Sequence, residues 1–159
     1  MSAPYDLSAS TRVIARRWQA ILDANKVALG IQDVFFGDQL MVPHTPAICV
    51  EPGRKRRNLE GVPDMTRMEI DTTFYVYHSK VDSEKQQARD DCIKFAEDVE
   101  DYLHVNHLRL FDLAGTQQLT IHSYCTDFDP GYSFKRNTWY HAVQMTWTNL
   151  TKVSLQRQF

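Results

Sequence analysis

Two stretches of the chain repeat apolar residues every three or four positions, which is the spacing of an amphipathic helix. The first stretch predicts a helix from Ser10 to Leu29, which ends at Gly30. The second predicts a helix from Ser83 to His104. Small, aliphatic and aromatic residues form the inner face of this second helix: Ala88, Cys92, Phe95, Ala96, Val99, Tyr102 and Leu103.

Elsewhere apolar and polar residues alternate, as they do in strands that have one covered face. The clearest alternation runs from Arg67 to His78, and the face predicted to be buried consists of Met68, Ile70, Thr72, Phe74 and Val76. A short apolar run at residues 47–50 predicts a strand before it, and residues 31–36 predict a short strand or an extended connector. Residues 119–128 and 137–153 predict two more strands, joined by a type II turn at Asp129-Pro130-Gly131-Tyr132.

These elements follow one another in the order α-β-β-α-β-β. This order predicts an α+β fold, in which an antiparallel or mixed sheet carries two helices packed on one face. A chain of 159 residues without internal repeats suits one domain with one core. We therefore expect a single domain over residues 1–159, with a short N-terminal segment at residues 1–9 and a C-terminal arm at residues 154–159.

Composition and charge exclude several classes of protein. Hydrophobic residues at 43% and charged residues at 24% exclude a wholly disordered chain. The formal net charge of −2 argues against a protein that coats nucleic acid, so any DNA contact would come from a local patch. The apolar runs fall far short of the roughly 20 residues that span a bilayer, and the N-terminus lacks a signal-peptide pattern. We expect a cytoplasmic protein without membrane contact.

The sharpest local feature is the basic run Arg54-Lys55-Arg56-Arg57. It lies in a stretch rich in glycine and proline, so we predict a charged loop from Gly53 to Asp64 between two strands. Four adjacent cations are suited to phosphates or to an acidic protein surface. The alternative is a solvated loop that keeps the protein soluble. No aromatic residue lies in this stretch, so stacking on single-stranded bases is not expected.

Three tyrosines are predicted to lie on the face of the sheet opposite the core: Tyr75, Tyr77 and Tyr140. Tyrosine is enriched in protein interfaces, which indicates a possible subunit interface on that face. Its high strand propensity is the alternative explanation, because tyrosine also occurs on open sheets without a partner.

Candidate chemistry is sparse. His104 and His107 are three residues apart, and a metal site would also need ligands such as His122 or Cys125. Histidines at a helix C-terminus have a structural use as well, since they interact with the last carbonyls. The acidic residues of the second helix mostly avoid its apolar stripe, which indicates a solvated or partner-binding side. We expect no catalytic residue, no cofactor and no bound metal.

The other chemical motifs are also missing from the sequence. Cys49, Cys92 and Cys125 are far apart, with no CxxC pair, and are predicted to be unpaired and buried. The stretch around Asp127 and Asp129 lacks the ligand spacing of a calcium loop. GxSxG, P-loop and GxGxxG motifs do not occur.

The residues of the central third resemble a known family. Three features carry the likeness: residues 46–57 followed by Gly61-Val62-Pro63, residues 74–80 leading into an acidic helix, and Gly131-Tyr132 before a long strand. Together with the element order and the chain length, they resemble tailed-phage tail terminator (tail completion) proteins. The resemblance spans roughly residues 10–153.

This resemblance implies a virion structural protein of the tail or neck, which assembles in the host cytoplasm. Its subunits would form a hexameric ring that caps the tail tube, ends tube polymerisation and joins the tail to the head connector or neck. The lumen would let genomic DNA pass, and the basic loop would contact a neighbouring subunit, the tube or the channel. The alternatives are another neck or head-tail joining ring protein, a nucleic-acid-binding domain that uses its basic loop, and a metal-dependent enzyme.

Overall fold

The computed structural model describes residues 10–37, 42–58, 65–81 and 86–154. The predicted N-terminal segment and nearly all of the C-terminal arm lie outside the described residues, as do residues 59–64 of the predicted basic loop. The described elements are α1 (Thr11–Ala24), α2 (Lys26–Leu29), β1 (Asp33–Phe36), β2 (Ala47–Asn58), β3 (Met65–Lys80), α3 (Gln86–Asn106), β4 (His122–Lys135) and β5 (Thr138–Ser154).

The predicted α+β class is confirmed, because five strands form one mixed sheet that three described helices accompany. The strand order is β1-β2-β3-β5-β4. Only the β1–β2 pair is parallel among the described strands, and each later pair is antiparallel. Among the described elements, the strand β1 and the short helix α2 are therefore additions to the predicted order.

The first helical stretch begins where the sequence predicts and then divides. Ser10 is the N-cap, and its hydroxyl oxygen accepts a hydrogen bond from the Val13 amide. The prediction of one continuous helix to Leu29 is wrong, because Asn25 ends α1. The Asn25 side-chain amide donates to the carbonyl of Ile21 at 2.8 Å, beside the backbone amide of Asn25, which donates to the same carbonyl at 3.2 Å. Gly30 ends α2 in the left-handed conformation, with φ of 75°.

The turn between β4 and β5 lies six residues later than predicted, at residues 135–138. Asp129, Pro130 and Gly131 are paired within β4, and the chain reverses at Arg136 and Asn137. Both of these residues have positive φ, 45° and 62°, which two-residue hairpin turns of the primed type require. Pro130 is tolerated in β4 because this strand lies at the edge of the sheet.

One core joins α1 and α3 to the sheet. The alternation of β3 is confirmed, since Met68, Ile70, Thr72, Phe74 and Val76 are all buried. At its centre the rings of Trp18, Phe74 and Trp147 lie 5.1–5.9 Å apart. We call the side of the sheet that carries these residues the core face, and the opposite side the second face.

A buried asparagine ties the layers of this core together. The Oδ1 atom of Asn149 on β5 accepts hydrogen bonds from the Trp18 indole at 2.9 Å and from the Ser123 hydroxyl at 2.8 Å. Its amide nitrogen donates to the Ile70 carbonyl at 2.7 Å and to the Thr72 hydroxyl at 3.1 Å. A single side chain thus links α1 with strands β3, β4 and β5.

Candidate interaction surface

The basic run lies in a strand, so its assignment to a loop is wrong. Arg54 to Arg57 belong to β2, where Lys55, Arg56 and Arg57 stand opposite Ile70, Glu69 and Met68 of β3. The strand continues through Pro52-Gly53 because a register shift between Pro52 and Lys55 absorbs the irregular residues. Glycine is needed here, since a Cβ at Gly53 would lie 2.7 Å from the Asp71 carbonyl oxygen. The sequence signal for a turn was in fact the signal for a bulge.

The four cations of this strand have different environments. Arg56 forms ion pairs with Glu69 at 3.2 Å and with Asp71 at 3.5 Å. Asp71 also accepts a hydrogen bond from Thr148 on β5, so Arg56 belongs to a polar network that crosses three strands. The other cations, Arg54, Lys55 and Arg57, are exposed and form no ion pair with another described residue. Within the described residues, three of the four positive charges are thus exposed without an ion pair.

The basic residues also lie on an uncovered edge. Strand β1 pairs only with Ala47 to Val50, so beyond Val50 the outer side of β2 has no neighbouring strand among the described residues. An edge of this kind offers backbone donors and acceptors to other chains. Pro52 and the cations limit unwanted strand pairing there, and they favour contact through side chains.

Two of the three predicted interface tyrosines are buried within the chain. Tyr77 and Tyr140 are each 4% exposed on the second face, in a cluster with Val42, Ala47 and Cys49. The Tyr140 hydroxyl donates to the Val42 carbonyl, and the two tyrosine rings meet edge to face. The prediction that they lie on an open face is wrong, because the segment before β2 covers this part of the sheet. Tyr75 is partly buried beside the same cluster.

The opposite edge of the sheet carries acidic and aromatic residues. On β4, Asp127 and Asp129 are exposed and help to line a surface cavity of about 390 Å³. Further along the hairpin, three aromatic side chains are about half exposed: Tyr132 (51%), Phe134 (51%) and Trp139 (54%). Sequence reasoning missed this surface because it placed a turn at residues 129–132. The alternating polar and aromatic residues of 127–134 are the signal that could have identified it.

The residues considered for metal binding do not assemble into one site. His104 lies near Cys125, but the ring of His107 packs against Tyr102 and that of His122 against Tyr124. Among the described residues, no group of three or more histidine, cysteine, aspartate or glutamate side chains could hold a metal ion.

Glu100, His104 and Cys125 form a group that superficially resembles a catalytic triad. His104 Nε2, however, accepts a hydrogen bond from the backbone amide of Cys125 at 3.1 Å, so it is occupied by the main chain. Burial, with a smaller contribution from the nearby Glu100 carboxylate, raises the pKa of the Cys125 thiol to about 12. Burial also raises the pKa of Glu100. A thiol with this pKa is a poor nucleophile near neutral pH.

All three cysteines lie within the described residues, and no disulfide joins any two of them. Cys49 and Cys92 are buried, and desolvation raises the pKa of Cys92 to about 11. The acidic residues of α3 are exposed, with the exception of half-buried Glu100. Lys94 partly offsets them through a 2.9 Å ion pair with Asp98.

A second surface cavity, of about 440 Å³, lies between α1 and the connection from α3 to β4. Arg12, Arg16 and Arg17 line it. Arg17 donates to the carbonyl of Phe111 at 2.8 Å, and the Arg16 guanidinium lies 3.6 Å from the centre of the Phe36 ring. Two of the three arginines are thus engaged in contacts within the chain.

In comparisons with known proteins, neither a family model nor a curated protein matches this sequence. Within the described residues, no helix combines the length and the apolar character that crossing a membrane requires.

Proposed function

We propose that this chain is a structural subunit of a tailed-phage virion, in a ring that caps the tail tube. The ring ends tube polymerisation and joins the tail to the head connector or neck, and six copies form it. The resemblance over residues 10–153 supports this role, and so does the α+β fold of the chain. The protein acts in the host cytoplasm during assembly and then in the neck of the virion.

The observation that carries the proposal is the basic outer strand. Arg54, Lys55 and Arg57 are exposed on an open sheet edge and form no ion pair with another described residue. Clustered charge of one sign on a rigid strand favours an interaction surface, because the summed field attracts an oppositely charged partner. The role we propose is therefore assembly and not catalysis, with no cofactor or metal.

The arrangement of the helices is also suited to a ring. In the proposed fold, two long helices lie together on one face of the sheet, in the order α-β-β-α-β-β with β1 and α2 as additions. Packing both helices on one face leaves the two lateral edges of the sheet for neighbouring copies. The ends of the strands remain for the tail tube on one side and the head connector on the other.

Two alternatives keep some support. A different neck or head-tail joining ring would use the same small subunit and the same charged edge. A nucleic-acid-binding domain is favoured by one observation, the three available cations on β2, which could contact phosphates of DNA passing through a lumen. The overall charge of −2 does not favour this second alternative.

The direct test is to assemble purified tail tube protein with and without this chain. We expect the chain to bind tube ends only, to shorten the tubes and to appear as a six-fold ring in averaged electron micrographs. Mass measurement of the chain alone and with tube subunits gives the stoichiometry independently. Tubes of unchanged length with no density of this chain at their ends would refute the proposal, and so would a single copy per tail.

A variant connects this test to the basic strand. Replacing Arg54, Lys55 and Arg57 with serine should leave the fold intact, since exposed charges contribute little to stability. The same variant should give tails of irregular length, or tails that do not join heads, in a phage that lacks the wild-type gene. A double change of Lys26 and Arg109 to serine removes cations elsewhere and serves as the matched control. Wild-type titre of the triple variant would show that the strand is merely solvated.

A further inference from the structure

Charge is distributed unequally between the two lateral sides of the sheet. On one side, α1 packs on β1, β2 and β3; on the other, α3 packs on β3, β4 and β5. Strand β2 and helix α1 together contain seven lysines and arginines and two carboxylates. Strand β4 and helix α3 contain three lysines and arginines and eight carboxylates. The chain as a whole is nearly neutral, so this asymmetry is a property of the fold.

The exposed members of each set define two surfaces. The basic flank consists of Arg54, Lys55 and Arg57 of β2 with Arg12 and Arg16 of α1. The acidic flank consists of Asp127 and Asp129 of the edge strand β4, which are exposed and stand opposite Thr146 and Gln144 of β5. Strands β2 and β4 are separated by β3 and β5, a distance of roughly 14 Å at the usual strand spacing. Among the described residues, no ion pair joins the basic flank to the acidic flank within one chain.

We infer that the basic flank of one copy docks on the acidic flank of the next, in a head-to-tail interface between identical chains. The inference rests on the proposed ring function and specifies its subunit contact. A contact between two different surfaces of the same chain is heterologous, and it closes into a ring when the rotation between copies allows. Charge complementarity selects a second copy as the occupant, because each flank is the electrostatic counterpart of the other.

Side chains, and not paired strands, make this contact. Each edge carries a proline in its exposed stretch, Pro52 on β2 and Pro130 on β4, and proline cannot donate to a ladder. The half-exposed aromatic side chains further along the β4–β5 hairpin supply an apolar anchor, since tyrosine and tryptophan are enriched among the residues that dominate interface energies. The ring centroids of Phe134 and Trp139 lie 5.0 Å apart with the ring planes tilted by 44°, and the Arg89 guanidinium lies 5.6 Å from the centre of the Tyr132 ring.

Charge reversal in the full chain tests the inference. One variant reverses the basic flank (Arg54→Glu, Lys55→Glu and Arg57→Glu), and another reverses the acidic flank (Asp127→Lys and Asp129→Lys). Sedimentation velocity should show self-association of the wild type at low salt. The association constant should fall about tenfold or more as added salt screens the charges. Each variant alone should be monomeric, because its two flanks repel. An equimolar mixture should associate again, because each altered flank meets its complement.

Controls separate a docking defect from a folding defect. Both variants should keep the wild-type circular dichroism spectrum and melting temperature, and Lys26→Glu with Arg109→Glu should associate like the wild type. A wild type that stays monomeric at every salt concentration would overturn the inference. Variants that associate normally alone, or a mixture that remains monomeric, would also overturn it. If the flanks behave as expected but no ring forms at tube ends, the proposed function fails and the inference stands.

Discussion

Replacing Asn149 with leucine should destabilise the chain more than almost any other change of similar size. Asn149 is 0% exposed, and its side chain makes five hydrogen bonds, four of them to groups in α1, β3 and β4. Leucine has the same number of side-chain heavy atoms with the same branching, so the change opens no cavity and the expected effect comes mainly from lost hydrogen bonds.

The magnitude follows from the groups that lose a partner. The indole N–H of Trp18 is fully buried and has Asn149 as its hydrogen-bond acceptor, so leaving it unsatisfied costs about 1–3 kcal/mol. The three lost bonds, to Ser123, Ile70 and Thr72, add about 1 kcal/mol each. The cost at Ser123 is no higher because its hydroxyl retains its contact with Thr120. We expect a loss of about 4–6 kcal/mol, a large part of the 5–15 kcal/mol typical of a domain.

Urea unfolding followed by tryptophan fluorescence measures this loss, since Trp18 and Trp147 are both buried in the core. Gln144→Leu is the matched control, because Gln144 lies on the same strand but is exposed; it should change stability by less than about 0.5 kcal/mol. In a Trp18→Phe background the effect of Asn149→Leu should shrink by about 1–2 kcal/mol, since the orphaned donor is gone. A loss below about 1 kcal/mol, or strict additivity in this cycle, would refute the reasoning.

Three further predictions concern the backbone, the histidines and the thiols. Gly53→Ala should lower the free energy of unfolding by about 1–3 kcal/mol, because its Cβ would meet the Asp71 carbonyl at 2.7 Å; Gly131→Ala, which meets nothing within 4 Å, should be nearly neutral in the same urea assay. Burial lowers the pKa of His78 and of His107, so the unfolded chain takes up protons first and stability should fall as pH drops below about 6.5. His78→Gln should flatten this dependence, and a slope unchanged by His78→Gln would contradict the assignment. A thiol reagent at pH 8 should react slowly with Cys92 and Cys125 in the folded chain, because their pKa values are about 11 and 12. After denaturation the same reagent should detect three thiols. Rapid reaction of Cys125 in the folded chain, or zinc retained after dialysis, would return the metal site to consideration.

The candidate surface could be predicted only in part. The basic residues can be identified from the sequence, since four cations follow one another directly. The sequence does not show which of them form ion pairs, because the ion pairs of Arg56 with Glu69 and Asp71 depend on the β2–β3 register. The acidic flank could not be predicted from the sequence for another reason. Asp127 and Asp129 become edge residues only when Pro130-Gly131 continues the strand, and a proline-glycine pair ordinarily indicates a turn.

The sequence by itself determined the features that depend on neighbours along the chain. The helix start at Ser10, the stop at Gly30, the inner stripe of α3 and the alternation of β3 all follow from local periodicity and local residue preferences. Tertiary structure decided which residues meet across the sheet: the burial of Tyr77 and Tyr140, the parallel strand β1 and the partners of Asn149. These contacts join residues as many as 131 positions apart. Periodicity specifies which way a side chain faces, but only the packed chain specifies what covers it.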